Sequence, residues 1–197
     1  MKKKILIIGG TGFIGYHLAS KCLEKKWAVS SFSTKKPSKK RILKKVNYII
    51  CDISNKKLLK KKINSNFDYV VNLGGYVDHT NKSKTLKTHY NGCKNIAEIF
   101  LKKNILSFVQ IGSSLEYGKL KSPHSESSRC TPKSYYAKAK YQATRFLVKL
   151  YKNKKFPVAI LRLYQVYGPN QDFNRFIPII INGCLKNNKF PCSEGKQ

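Results

Sequence analysis

The chain has 197 residues, enough for one domain or for one domain and the beginning of a second. Hydrophobic residues make up 41% of it, an ordinary share for a globular core, and no apolar run reaches the ~20 residues needed to span a bilayer. The formal net charge is +31, but lysine greatly outnumbers arginine and is spread over every predicted helix and loop, so we read the charge as compositional habit and expect neither a specific nucleic-acid partner nor a membrane.

Residues 4–8, Lys-Ile-Leu-Ile-Ile, form a continuous apolar run of the kind a parallel strand shows when buried on both faces. The lysines before it superficially resemble a secretory n-region. The apolar stretch ends after four residues at Gly9, too short for an h-region, so a cytoplasmic protein is expected. Phe13 to Glu24 follows with helical spacing of apolar residues. Trp27 to Phe32 and Val46 to Cys51 read as strands, and Ser54 to Ile63 as a short helix. Lys35 to Lys45 between them is a lysine-rich loop, expected to be the most mobile stretch. Tyr69 to Leu73 reads as a strand, Thr85 to Lys102 as a helix, and Leu106 to Ile111 as a strand. A long helix is predicted over Ser134 to Tyr151, a strand over Val158 to Leu163, and a helix over Phe176 to Leu185 with Pro178 in its first turn. Strands alternating with helices predict an α/β fold, a Rossmann-like doubly wound parallel sheet with helices on both faces. Residues 1–170 are assigned to that domain. Residues 171–197 are expected to begin a further region that continues beyond the sequence, since nothing in its last residues closes a fold.

The six cysteines form no C-x-x-C pair and the four histidines, His17, His79, His89 and His124, have no ligand spacing, so no metal site is expected. The glycines carry a stronger signal. Gly9, Gly12 and Gly15 fit G-x-x-G-x-x-G between the first strand and the first helix. Gly9 permits the tight turn, Gly12 lets a pyrophosphate approach the backbone, and Gly15 lets helix pack on strand. The first-turn amides and the helix dipole then face an anion. At the end of the second strand, where an acid would bind a ribose 2′-hydroxyl, the sequence reads Ser30-Ser31-Phe32-Ser33-Thr34-Lys35-Lys36. Hydroxyls and lysines without a carboxylate favour NADP over NAD.

With its strand–turn–helix context, this loop resembles that of the extended short-chain dehydrogenase/reductases, the NAD-dependent epimerase/dehydratase family. Asp52, Leu73-Gly74-Gly75, Arg162 to Pro169 and Phe173 to Pro178 extend the resemblance along the chain. It implies cofactor contacts from Gly9, Thr11, Gly12, Phe13, Ile14, Gly15, Ser33, Lys35, Asp52, Ile53, Leu73, Gly74, Gly75 and Lys140. The implied chemistry is hydride transfer to or from nicotinamide, coupled to proton exchange at a hydroxyl or carbonyl of a nucleotide-linked sugar.

That chemistry requires a tyrosine, a lysine four residues on, and a serine or threonine at the end of the fifth strand. Four tyrosines have lysine at +4: Tyr90, Tyr117, Tyr136 and Tyr151. Only Tyr136 opens the long helix as in the family, so Tyr136 and Lys140 are the expected pair, the ammonium lowering the phenol's pKa. Ile111 to Gly118 resembles the family's serine-bearing segment and places Ser113 at the catalytic position, with Ser114 the near alternative. The family's dehydratases carry an Asp-Glu pair directly after this residue. Here those positions are Ser114 and Leu115, with Glu116 one residue out of register, which favours an epimerase or a 4-keto reductase over a 4,6-dehydratase. A family asparagine is replaced by His89, and the asparagine common after strand six is Gln165.

Family members commonly dimerise through the helices carrying Phe146, Leu147 and Leu150 and Ile96, Ile99 and Phe100, although each apolar set also suits the core. The competing readings are a basic nucleic-acid-binding protein and a non-catalytic dinucleotide sensor on the same scaffold.

Overall fold

The computed structural model describes residues 2–76, 78 and 80–194. His79 lies outside them. Strands β1 (Lys4–Ile8), β2 (Ala28–Ser33), β3 (Val46–Ile50), β4 (Tyr69–Asn72), β5 (Ser107–Ser113) and β6 (Val158–Leu163) form one sheet. Every pairing is parallel and the order is β3-β2-β1-β4-β5-β6. Helices α1 (Phe13–Glu24), α2 (Lys56–Lys62), α3 (Lys82–Leu86), α4 (Cys93–Phe100) and α5 (Tyr135–Lys154) connect the strands, and α6 (Phe176–Leu185) follows β6. The expected Rossmann-like doubly wound sheet is therefore present.

Strand alternation divides the core between the two faces of the sheet. Ile5 and Ile7 of β1 pack with Ala19 and Cys22 of α1 and Val29 of β2. Leu6 and Ile8 face the other way, toward Leu59, Ile96, Phe100, Ala143 and Leu147. Asn55, Asn81 and Ser134 cap α2, α3 and α5, each accepting a hydrogen bond from a first-turn amide. α1 begins at Gly12 with no side-chain cap, so its first-turn amides face outward unsatisfied by any side chain.

The helix predicted over Thr85 to Lys102 begins earlier and is interrupted. Between α3 and α4, residues Lys87–Gly92 form a π-helical turn. Such turns widen the helix and rotate side chains that a 3.6-residue period would place elsewhere. β5 extends two residues past its expected end, to Ser113, and α5 runs to Lys154, ending on left-handed Lys155. Ile96, Phe100 and Leu147 are fully buried in the core and Ile99, Phe146 and Leu150 are partly buried against it.

By packing, the chain divides after Tyr164. The first unit contains the whole sheet. In the second, from Gln165, Gly183 of α6 lies directly against Phe190. No helix among the described residues is long and apolar enough to cross a membrane. The cysteines are free, with Cys22, Cys51, Cys93 and Cys130 buried and Cys184 and Cys192 exposed. No cluster of metal-ligating side chains occurs among the described residues.

Candidate functional site

The strand order reverses between β1 and β4, and a crevice opens there beyond the strand ends. The glycine loop fills one side of it. Gly9 has φ +78°, a conformation that L side chains rarely adopt, and its amide donates to the Phe32 carbonyl at 2.7 Å. The Gly12 amide donates to the Gly9 carbonyl at 3.0 Å. A Cβ on Gly15 would collide with the Gly9 carbonyl and lie 2.6 Å from the Gly10 Cα, so only glycine lets α1 follow this turn.

A cavity of about 480 Å³ lies along the loop. Of the residues predicted to hold the cofactor, Gly9, Thr11, Gly12, Ser33, Asp52, Ile53, Leu73, Gly74 and Gly75 line it. Phe13, Ile14 and Gly15 lie instead in the first turn of α1, Lys35 lies on the exposed loop after β2, and Lys140 sits with Tyr136. Lys84, Lys87 and Thr88 also line the cavity. Lys87 and Thr88 are placed by the π-helical turn, which breaks the helical period, and Lys84 lies in α3, ahead of the predicted start of the helix at Thr85.

The cavity's chemistry suits a dinucleotide. Its wall is glycine backbone at a helix N-terminus without a side-chain cap, a cradle for phosphate. At its other end the Ser33 hydroxyl is buried with no hydrogen-bond partner among the described residues. A buried hydroxyl left unbonded is costly, and a ligand ribose or phosphate would satisfy it. Asp52 is exposed and caps its own turn, accepting from the Ser54 amide at 2.8 Å.

Ser113, Tyr136 and Lys140 are brought together by β5 and α5. The Ser113 hydroxyl lies near enough to the Tyr136 phenol to lower its pKa. Lys140 is almost fully buried, its Nζ donates to the Ile111 carbonyl at 2.8 Å, and it lies 5.8 Å from the centre of the Tyr136 ring. Burial pushes the Lys140 ammonium down to about 8, with Cys93 and Glu116 opposing the shift. The Cys93 thiol in the same pocket is pushed up to about 12 by its own burial.

The tyrosine departs from expectation. Its pKa is raised, first by burial and further by Glu116, while the Ser113 hydroxyl lowers it. The expected depression by Lys140 is absent because that ammonium is turned to the Ile111 carbonyl. Of the other candidates, Tyr151 is 53% exposed at the far end of α5, Tyr90 packs edge-on against Phe146, and Tyr117 is buried beside Arg162.

Two neighbours that the sequence marks only as departures from the family pattern hold this group in place. Glu116, fully buried, accepts from the Ser113 amide at 2.9 Å, from the Thr144 hydroxyl at 2.8 Å and from Arg162 Nε at 3.3 Å. It closes a capping box with Ser113 and so fixes the backbone that presents the serine. His89, turned inward by the π-helical turn, lies edge-on to Tyr136 with ring centres 5.0 Å apart. Its Nε2 is 3.3 Å from the Tyr76 amide and 3.2 Å from the Tyr76 carbonyl, and its ring leaves no room for a Cβ on Gly75. The imidazole thus bridges the cavity wall and the tyrosine. His124 is also engaged, stacked on Tyr117 with Nδ1 2.6 Å from the Tyr164 hydroxyl.

A Rossmann-type sheet with a glycine cradle at its switch point and a Ser-Tyr-Lys group beside it defines a dinucleotide-type scaffold. The model of the NAD dependent epimerase/dehydratase family matches residues 5–197, and the chain belongs to that family. A dTDP-D-glucose 4,6-dehydratase of Dictyostelium discoideum is 30% identical over 230 residues, covering 95% of this chain and 49% of that protein. A putative UDP-glucose 4-epimerase of Methanocaldococcus jannaschii is 30% identical over 196 residues, covering 93% of this chain and 63% of that protein. Among solved structures, the UDP-glucose 4-epimerase of Thermotoga maritima with UDP-glucose superposes with a TM-score of 0.90 at 21% identity, covering 98% of this chain and 67% of that one. The dTDP-glucose 4,6-dehydratase of Bacillus anthracis in complex with NAD gives 0.83 at 23% identity, covering 95% and 63%. At these identities the structural likeness establishes the fold. The chain spans about half to two thirds of the length of these relatives. These matches give no support to the nucleic-acid-binding alternative.

Proposed function

We propose that this chain is the dinucleotide-binding part, residues 1–170, of a cytoplasmic NAD(P)-dependent enzyme acting on a nucleotide-linked sugar, with residues 171–197 beginning its substrate region. The observation that carries the proposal is the grouping of Ser113, Tyr136 and a buried Lys140, with the Lys140 ammonium 5.8 Å from the Tyr136 ring centre, next to a cavity suited to a dinucleotide. A bound nicotinamide would supply the hydride acceptor or donor. Tyr136 holds and moves the proton at the sugar oxygen, and Ser113 orients that oxygen through its hydroxyl. Lys140, 5.8 Å from the Tyr136 ring centre, holds its ammonium on the Ile111 carbonyl beside the phenol, and Glu116 holds the Ser113 backbone in register.

Within the family we favour an epimerase or a 4-keto reductase over a 4,6-dehydratase, although the dehydratase of Dictyostelium discoideum is among the relatives. Water elimination needs an acid and a base after the serine, and positions 114 and 115 are Ser and Leu. Glu116 is committed to three hydrogen bonds within the protein, to the Ser113 amide, the Thr144 hydroxyl and Arg162, which argues against its standing in for that pair. We favour NADP over NAD because Ser33 and Thr34, without a carboxylate, form the β2 end of the cavity. The solved dehydratase that holds NAD marks NAD as the other outcome.

The test is to load the chain with oxidised dinucleotide, add UDP-glucose, and follow the absorbance of reduced nicotinamide. A slow single-turnover rise is expected, abolished by Tyr136→Phe with dinucleotide affinity unchanged. No rise, or an equal rise in Tyr136→Phe, would overturn the assignment.

A further inference from the structure

The chain contains five arginines against its many lysines, and three of the five, Arg129, Arg145 and Arg162, converge on one cavity. It lies against α5 and away from the glycine cradle, with no lining residue in common. On α5, Tyr141, Thr144, Arg145, Val148, Lys149 and Lys152 follow one another at helical spacing and make a single stripe. The facing wall is the segment Ser127 to Cys130. Its volume is about 500 Å³, within the range of small-molecule sites.

Arg162 is already engaged by Glu116 and by the Tyr117 hydroxyl, and with Thr144 it forms a fixed inner wall. Arg129 and Arg145 make no ion pair among the described residues, and Arg145 lies over the Tyr141 ring at 6.0 Å. No carboxylate is among the described lining residues. Two guanidinium forks, two flanking ammonium groups and the hydroxyls of Ser127 and Ser128 match the needs of a phosphate-bearing ligand. A general excess of lysine does not account for this, because the convergence is of the rare residue.

We propose that this cavity is a second anion site, separate from the dinucleotide cavity, which takes a phosphorylated small molecule of roughly diphosphate charge. The probe is inorganic pyrophosphate, titrated calorimetrically into the chain near physiological ionic strength. Arg129→Gln/Arg145→Gln should weaken the tightest class of binding about tenfold, the size expected for losing charge-assisted forked bonds. Lys25→Gln/Lys26→Gln at the opposite end of the sheet removes the same charge and should change it by less than about twofold. The comparison isolates this cavity whatever the glycine loop binds. Arg129→Lys/Arg145→Lys keeps the charge and the fold but loses the planar forks, and should also weaken binding. Wild-type affinity in either arginine variant, or an equal loss in the lysine control, would overturn the proposal.

Discussion

The two halves of the sheet build their share of the site by different means. Around β1, β2 and β4 the cavity is made by backbone: a glycine in a left-handed turn, amides at an uncapped helix start, and small residues where any Cβ would collide. Around β5, α5 and β6 the site is made by buried side chains that hold one another and the backbone, Glu116 to Ser113, Thr144 and Arg162, and Lys140 to Ile111. The first design tolerates change in side chains but not in glycine. The second tolerates little loss of any charged member, because each leaves a partner buried and unpaired.

The sharpest way to break this contrast is Glu116→Ala. It strands the Arg162 guanidinium, whose side chain is 15% exposed, and should cost about 3–5 kcal/mol in urea unfolding. A loss below about 1 kcal/mol would mean that the network relaxes freely, as a surface pair does.

Lys140 sharpens the same point through pH. The unfolded chain keeps this proton up to 10.5, whereas the folded chain gives it up near 8. Between those values the unfolded state binds more protons, so the folded state gains stability as pH rises through that window, and the full burial cost is felt below about 8. The stability of the wild type relative to Lys140→Met should therefore rise by up to about 3 kcal/mol between about pH 7 and about pH 10. A flat difference would show that Lys140 is not buried as a charge.

On the backbone-built side, Gly15→Val should cost about 1–3 kcal/mol through overpacking against Gly9 and Gly10, with saturable dinucleotide binding lost. The smallest effect is expected at Ser33. Its hydroxyl has no protein partner among the described residues, so Ser33→Ala should leave thermal stability within about 0.5 kcal/mol. It should nevertheless weaken dinucleotide binding several-fold, about the worth of one hydrogen bond. Unchanged affinity would remove Ser33 from the site.

The same contrast explains what could be read from the sequence. The glycine loop is local: three glycines at fixed spacing between an apolar run and a helix specify both conformation and ligand class. The helical offset of Tyr136 and Lys140 is likewise local, and position selected that pair from four. Glu116 and Arg162 are 46 residues apart and meet only because β5 and β6 pair with Gly112 opposite Arg162. That register is invisible in spacing, so Glu116 was judged only against a motif. The inward aim of His89 and the place of Lys87 in the cavity wall come from the π-helical turn, which no period predicts.

The central claim, that the glycine cradle and the β2 end together hold a nicotinamide dinucleotide, is tested most directly by nicotinamide fluorescence. The chain and Gly15→Val would each be titrated with NADPH and NADH at two salt concentrations, with thermal melting to confirm that both are folded. Saturable binding by the chain, tighter for NADPH and absent in the folded variant, is the predicted result. No saturable binding to the chain, or equal binding to the variant, would contradict it.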